Sequence, residues 1–241
     1  MEIQPFTVAY PPAVASLSLV STLVGDAYEV KFRLTTREAE KAESWARARL
    51  TPDPHGENGI YHTTSLYLDT PFLDIYHKSP GYRRSKYRLR RYGSEQQIHL
   101  ERKIRRGDRV RKRREAIALA DVPRLLDEDG GGVWFGPQIR RRLLRPICWI
   151  GYTRTAFTSA TSGGPLRLTL DRDAVGTTAS AWDVPDRVAG RRLLSNEVIL
   201  ELKFRSSLPK LFHELLAVLP SRVAGVSKYS RCVEAWSLAR R

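Results

Sequence analysis

The chain has 241 residues, 41% of them hydrophobic, enough for one sizeable core and too many for a wholly disordered polymer. Lys and Arg number 41 against 26 Asp and Glu, a formal charge of +15, which points to a polyanionic partner: nucleic acid, an anionic membrane, or a phosphate-rich small molecule or polymer. Cys148 and Cys232 are too few for a disulfide scaffold and lack metal-ligand spacing, so a reducing compartment, the cytoplasm, is expected, and no run of 18 apolar residues predicts a transmembrane helix.

Residues 1–27 read as a flexible leader; no Lys or Arg precedes Lys31, so a secretory signal is not expected. Everything from 28 to 241 reads as one domain. In 28–34, Tyr28, Val30, Phe32 and Leu34 alternate with Glu29, Lys31 and Arg33, the period of a strand. Thr35 and Glu38 form a capping box for a helix running to about Leu50. Prolines and glycines from Pro52 to Gly59 make a loop, 60–69 a strand, and 72–79 a short helix.

Three basic strands follow. In 85–92, Lys86, Arg88 and Arg90 share a face; in 97–105, His99, Glu101, Lys103 and Arg105 do; in 110–119, Lys112 and Arg114 do. Gly107-Asp108 turns the hairpin between the last two. Residues 121–147 suggest helices broken at Gly130-Gly131-Gly132, which lacks the Gly-Lys-Ser/Thr of a phosphate loop. The strand at 148–158 places Ile150, Tyr152, Arg154 and Ala156 together. Leu166, Leu168 and Leu170 alternate with Arg167, Thr169 and Asp171. Residues 173–194 read as irregular. The last strand, 196–204, sets Val198, Leu200, Leu202 and Phe204 against Glu197, Ile199, Glu201 and Lys203. Helices end the chain at 209–219 and from Ser227 to about Ala239. Arg83, Arg84, Arg91, Arg106, Arg109, Arg111 and Arg113 read as outer or loop charges, His99 as a minor lumen or packing residue and Cys148 as core.

About eight alternating strands are enough to close a barrel. Basic rows repeating at i, i+2 on neighbouring strands repel one another unless something negative lies between them. If those rows point inward, they line a wet cationic tunnel, and the helices at 37–50, 138–145, 208–219 and 229–239 cover the apolar outside. The pattern alone leaves inside and outside open. Arg forks and Lys ammonium groups match phosphate oxygens. The few carboxylates among them either ligate a hard divalent metal or pair with Arg.

The strands also carry a resemblance. The ordered pieces are Tyr28-Glu29-Val30-Lys31-Phe32, Ser65-Leu66-Tyr67-Leu68-Asp69, Lys86-Tyr87-Arg88-Leu89-Arg90-Arg91-Tyr92-Gly93 and Leu100-Glu101-Arg102-Lys103. Then come Lys112, Tyr152-Thr153-Arg154-Thr155-Ala156-Phe157, Arg167-Leu168-Thr169-Leu170-Asp171, Leu200-Glu201-Leu202-Lys203-Phe204 and Ser227-Lys228-Tyr229-Ser230. Over about 28–236 the chain resembles the VTC domain, the polyphosphate polymerase branch of the CYTH-like triphosphate tunnel metalloenzymes. The resemblance implies an α+β fold: a closed antiparallel eight-stranded β-tunnel with a cationic lumen and helices packed outside. It implies transfer of the ATP γ-phosphate to a growing polyphosphate chain with Mn²⁺ or Mg²⁺.

By that match Lys31, Arg88, Arg90, Lys103, Lys112, Arg154, Arg167 and Lys228 bind phosphates, with Arg88, Arg90, Lys103 and Lys228 nearest the transfer. Glu201 holds the metal, and Glu29 and Glu101 either join it or orient Lys and Arg. Two departures stand out. Eukaryotic family members carry a second lysine three residues before the one matching Lys228, where this chain has Gly225. Hydrolytic relatives carry Glu-x-Glu-x-Lys, of which Glu29 and Lys31 supply the last half and Ala27 breaks the first. The alternatives are a metal-dependent tripolyphosphatase or nucleoside triphosphatase, and a polyphosphate- or nucleic-acid-binding module without turnover. The last predicts aromatic rings interleaved with the basic rows; Tyr87 alternates to the opposite face. ATP and polyphosphate are the expected partners, no specific nucleic acid is, and coupling to transport would need a membrane protein.

Overall fold

The computed structural model describes residues 27–106, 109–127, 132–161, 164–219 and 225–240. The expected leader lies outside these, save Ala27, as do the Gly107-Asp108 turn, Gly130 and Gly131. Ten strands among the described residues join one antiparallel sheet: β1 (Ala27–Thr35), β2 (Thr51–Pro52), β3 (Ile60–Asp69), β4 (Ser85–Tyr92), β5 (Gln97–Arg106), β6 (Arg109–Ala118), β7 (Arg145–Thr161), β8 (Gly164–Thr178), β9 (Arg191–Arg192) and β10 (Glu197–Phe204). Neighbours run β7-β3-β4-β5-β6-β1-β10-β8, and β8 returns to β7, so eight strands close a barrel. β2 and β9 are short additions to β7 and β8. The seam between β1 and β6 is the shortest joint of the ring, Ala27 opposite Val110 and Tyr28 opposite Arg109. The closed antiparallel barrel expected from the strand count is present.

The helices are α1 (Thr36–Arg47), α2 (Asp74–His77), α3 (Phe135–Arg142), α4 (Lys210–Ala217) and α5 (Lys228–Ala235). The apolar phase of β1, β8 and β10 faces outward: Phe32, Leu34, Leu168, Leu170, Leu200 and Leu202 form a core with Ala39, Ala42 and Ala46 of α1 and with Phe212 and Leu215 of α4. On the other flank Leu66, Leu89, Ile98 and Leu100 pack with Phe135 and Ile139 of α3. Burying each leucine, isoleucine or phenylalanine among these contributes roughly 1.5–3 kcal/mol. The opposite, charged phase is left to the interior, which decides the question the alternation alone left open.

The capping box is formed: Thr35 N–H donates to Glu38 at 2.7 Å, and the Thr35 hydroxyl accepts from the Glu38 N–H at 3.3 Å. Thr35→Ala is expected to cost about 1 kcal/mol, lowering the melting temperature by about 2–4 °C in a circular-dichroism melt. α1 ends at Arg47, three residues short of the expected Leu50; past it the N–H groups of Arg49 and Leu50 both turn in on the Ala46 carbonyl, a tightened closing turn. α3 ends at Leu143, which takes a left-handed conformation (φ 52°); the chain then enters β7 at Arg145, earlier than the expected 148.

β8 continues to Thr178 where irregular chain was expected. Asp173 adopts φ 51°, and the β7–β8 register shifts between Gly151 and Thr153. A bulge of this kind reverses the phase of alternation, so Ala174 is buried after it, and the period-2 pattern read from the sequence stops at Asp171. Arg91 corrects another expectation. It is buried rather than an outer charge, its guanidinium donating to the carbonyls of Glu95, Ser94 and Val184.

α5 stoppers one end of the barrel. β3 and β7 place Tyr67 opposite Cys148 and Ser65 opposite Ile150. Cys148 and Ile150 join Tyr229, Cys232 and Val233 of α5 in one core, and Tyr67 stacks on Tyr229 at 5.5 Å. Both thiols are free and buried. Gly176 allows the approach, since a Cβ there would lie 2.6 Å from the Cys232 sulfur. Asp69 fixes the stopper. Its carboxylate accepts the backbone N–H groups of Thr70, Ile75 and Tyr76 and the hydroxyl of Tyr229, tying β3, α2 and α5 together.

Candidate functional site

The inward phase of the strands brings basic and acidic side chains into one connected interior. On β1 and β10, Lys31 stands opposite Glu201. Its ammonium lies 3.0 Å from both Glu29 and Glu201. Lys203 lies 3.0 Å from Glu201 and 3.6 Å from Glu29. From β5, Lys103 reaches past β6 to Glu29 at 2.5 Å. Burial and the neighbouring Glu201 push Glu29 upward, but Lys31, Lys203 and Lys103 outweigh them and hold it at about 2. Lys31 is raised in turn, its two carboxylates overcoming its burial.

Glu101 is the next hub and only 1% exposed. Arg88 grips it with Nε at 2.7 Å and Nη2 at 2.6 Å, Arg114 reaches it at 2.7 Å, and Lys112 closes in from β6. Burial opposes its charge, yet Arg88, Lys112, Arg90 and Arg114 hold it well below the ordinary carboxylate range. The same crowding, after burial, pushes Lys112 down despite its carboxylate partner. Arg88 also donates to the Tyr67 hydroxyl at 3.0 Å. Arg90 is 3% exposed, donates to the Ser65 hydroxyl at 3.1 Å and lies against the faces of Tyr92 and Tyr152.

Asp171 is the third hub. It takes a two-pronged bond from Arg154 at 2.6 and 2.9 Å and the Lys228 ammonium at 2.5 Å. Lys228 also sits 4.4 Å from the centre of the Tyr152 ring. Arg167 stands at the edge of this set, held by Asp53 at 2.7 Å and the Tyr61 hydroxyl at 2.8 Å. Beside it Tyr61, Tyr92, His55 and His99 form an aromatic cluster. Burial, followed by Arg114, lowers His99 to about 4, so it is neutral at pH 7.

The sequence-predicted residues Lys31, Arg88, Arg90, Lys103, Lys112, Arg154, Lys228, Glu29, Glu101 and Glu201 thus share one interior. Asp171, Arg114, Lys203, Tyr67 and Lys86 join them without having been singled out. The alternation carried the signal, because each has the strand phase of a predicted neighbour. Nothing in the sequence showed that Asp171 anchors Arg154 and Lys228 together. A cavity of about 1130 Å³ opens the interior to the side, between β1, the start of β4 and the N-terminus of α5, and is lined by Lys31, Arg33, Arg84, Lys86, Lys103 and Ser227 among others.

Of the three candidate metal ligands, Glu29 and Glu201 are both ionised and buried and flank the Lys31 ammonium. Lys31, Lys103 and Lys203 engage their oxygens, so a hard divalent cation would have to take the place of Lys31 between them. Glu101 offers less, because two guanidinium groups, from Arg88 and Arg114, and Lys112 hold its oxygens. Among the described residues no three His, Cys, Asp or Glu converge, so a bound ion would need phosphate oxygens to complete its shell.

A family profile described as VTC domain matches residues 26–237. Among solved structures, a Bacillus halodurans protein described as a candidate adenylate cyclase superposes with a TM-score of 0.52 at 12% identity, covering 83% of this chain and 92% of that one. A Pyrococcus horikoshii protein gives 0.49 at 12% identity over 86% and 99% of the two chains. A Hippeastrum protein, described as a candidate adenylyl cyclase with a dominant triphosphatase activity, gives 0.46 at 18% over 88% and 96%. The first of these likenesses supports the barrel fold. A comparison with curated proteins finds no match. No helix among the described residues is long and apolar enough to cross a membrane.

Proposed function

The chain belongs to the VTC domain family, and from that premise we propose that it is an ATP-dependent polyphosphate polymerase working inside its barrel. The observation that carries this reading is the convergence of Arg88, Arg90, Arg154 and Lys228 on one enclosed space. Basic groups outnumber acids there, so the lumen is cationic and suits a chain of phosphates.

Phosphoryl transfer needs in-line positioning and neutralisation of the equatorial oxygens rather than a protein nucleophile. The terminal oxygen of the acceptor chain attacks the γ-phosphorus, the β–γ bridging bond breaks, and ADP leaves. Arg88 and Arg90, held by Tyr67, Glu101 and Ser65, present fixed N–H groups to that phosphoryl group. Arg154 and Lys228, aligned by Asp171, close on it from β7 and α5. Lys31 and Lys103 bind the phosphates nearer the side opening. Glu29 and Glu201 would hold a Mn²⁺ or Mg²⁺ ion, which when bound neutralises phosphate oxygens and orients them. A reducing cytoplasm suits the two free thiols.

The test is incubation of the purified protein with ATP and Mn²⁺, read on a gel stained for polyphosphate. A polymer ladder that disappears with chelator is expected. Orthophosphate without polymer would establish a triphosphatase instead, the reading that Gly225 favours. Binding of polyphosphate without ATP turnover under any divalent metal would leave a binding module.

A further inference from the structure

Phe72 and Leu143 are 82% and 73% exposed, and the fold brings them to one face. Phe72 lies in the turn between β3 and α2, and Leu143 closes α3. Arg145, at the start of β7, stands opposite Asp69 and donates to the Pro71 carbonyl at 3.3 Å, which joins the two turns. Arg142 donates to the Gly81 carbonyl at 3.4 Å and lies 5.1 Å from the centre of the Tyr82 ring, adding the turn before β4.

Single exposed apolar side chains are common on folded proteins. Leu143 is a different case. It holds the left-handed conformation (φ 52°) that ends α3, a place where glycine or asparagine is the usual occupant because it avoids the clash of a side chain with the backbone. Leucine there strains the backbone and leaves its side chain in water, so neither the turn nor the core accounts for it.

The charge around the two residues is one-sided. Residues 71–84 hold three Lys and Arg and residues 140–145 hold four, against a single acid, Asp74, whose carboxylate accepts the Thr70 hydroxyl. Lys78, Arg83, Arg84, Arg141 and Arg145 are exposed. Protruding apolar groups ringed by cations fit an anionic bilayer interface, where acyl chains take the former and headgroup phosphates the latter. Nucleic acid would satisfy the cations and leave Leu143 in water. A second copy, meeting this face with the same face, would set the cations against one another.

We infer that the face carrying Phe72 and Leu143 docks on an anionic lipid surface. Lys78, Arg83 and Arg84 also line the side cavity, so docking sets the mouth of that cavity beside the bilayer. The contact is peripheral, needs no membrane-spanning helix, and stands independently of the catalytic reading.

The experiment is co-sedimentation of the full chain with phosphatidylcholine vesicles containing about one-third phosphatidylglycerol, beside vesicles of phosphatidylcholine alone. Binding to the anionic vesicles that weakens with salt, and little binding to the neutral ones, is expected. Leu143→Gly is expected to weaken binding about tenfold while melting near the wild-type temperature, because glycine suits the left-handed turn. Arg141→Gln should weaken it about fivefold, the usual effect of one cation at such a surface. A wild type that ignores anionic vesicles, or binds both kinds equally, overturns the inference. So does undiminished binding by both Leu143→Gly and Phe72→Ser. Duplex DNA bound in place of vesicles and lost in Arg141→Gln would assign the face to nucleic acid. A dimer in sedimentation that Leu143→Gly breaks would assign it to a second copy. Either result overturns docking on lipid.

Discussion

Arg88→Ala is expected to lower ATP turnover about 10²–10³-fold, the usual loss when one fixed donor to a developing oxyanion is removed. The guanidinium is placed by two partners from different strands, Tyr67 and Glu101. Its N–H groups are therefore aimed before substrate arrives, and most of the loss should appear in kcat rather than in KM. Steady-state kinetics with ATP and Mn²⁺ check this. Arg88→Lys should recover little, because an ammonium cannot grip Glu101 and reach a phosphate in the same fork geometry. A variant with wild-type kcat would remove Arg88 from the reacting centre.

Glu101→Gln carries the largest expected cost to stability. The carboxylate is buried, and Arg88, Arg114 and Lys112 all rest on it. Leaving those cations unmatched should cost about 3–5 kcal/mol, lowering the melting temperature by on the order of 10 °C in a protein of this size. The native pKa of Glu101 lies well below its ordinary 4.5. Its contribution is therefore fully present above about 4.5 and is lost only as pH falls through the lowered native value. The gap between wild type and variant should be flat across neutral pH and shrink in acid. Tripolyphosphate stabilises either form by roughly 2.7 kcal/mol at a hundred times that form's dissociation constant, and at one fixed concentration it should narrow the gap, because phosphate oxygens replace the missing charge and bind the variant more tightly. A melt that shows no gap, or a gap untouched by the anion, contradicts the reading of Glu101 as the interior's standing counter-ion.

Much of the barrel was legible in the sequence because alternation is a local property. Leu200 and Leu202 against Glu201 and Lys203 announce a strand and its two faces without reference to any other segment. Which face points inward was not legible, since that depends on α1 and α4 covering the apolar side. The extension of β8 was hidden by the bulge at Asp173, which breaks the period on which the reading relies. Site residues were legible where a basic phase repeats, as at Arg88 and Arg90. Their partners were not. Asp171 and Asp53 serve Arg154, Lys228 and Arg167 through closure of the ring and its loops, and no spacing along the chain records that. Lys86 shares its phase with Arg88, and only the fold shows that it meets Ser227 of α5.

The interior ion pairs also bear on how such a chain can change. Buried pairs like Arg154–Asp171 and Arg88–Glu101 hold the fold less well than apolar side chains of the same volume would, often by 1–4 kcal/mol. A population selected for heat resistance alone is expected to drift toward leucine and methionine at these positions, gaining melting temperature while losing its grip on phosphate. Activity and robustness therefore pull on the same few residues in opposite directions. On the proposed function, catalysis is what holds Glu101, Asp171 and their cations in place, and a copy of the chain freed from that demand is expected to lose them first.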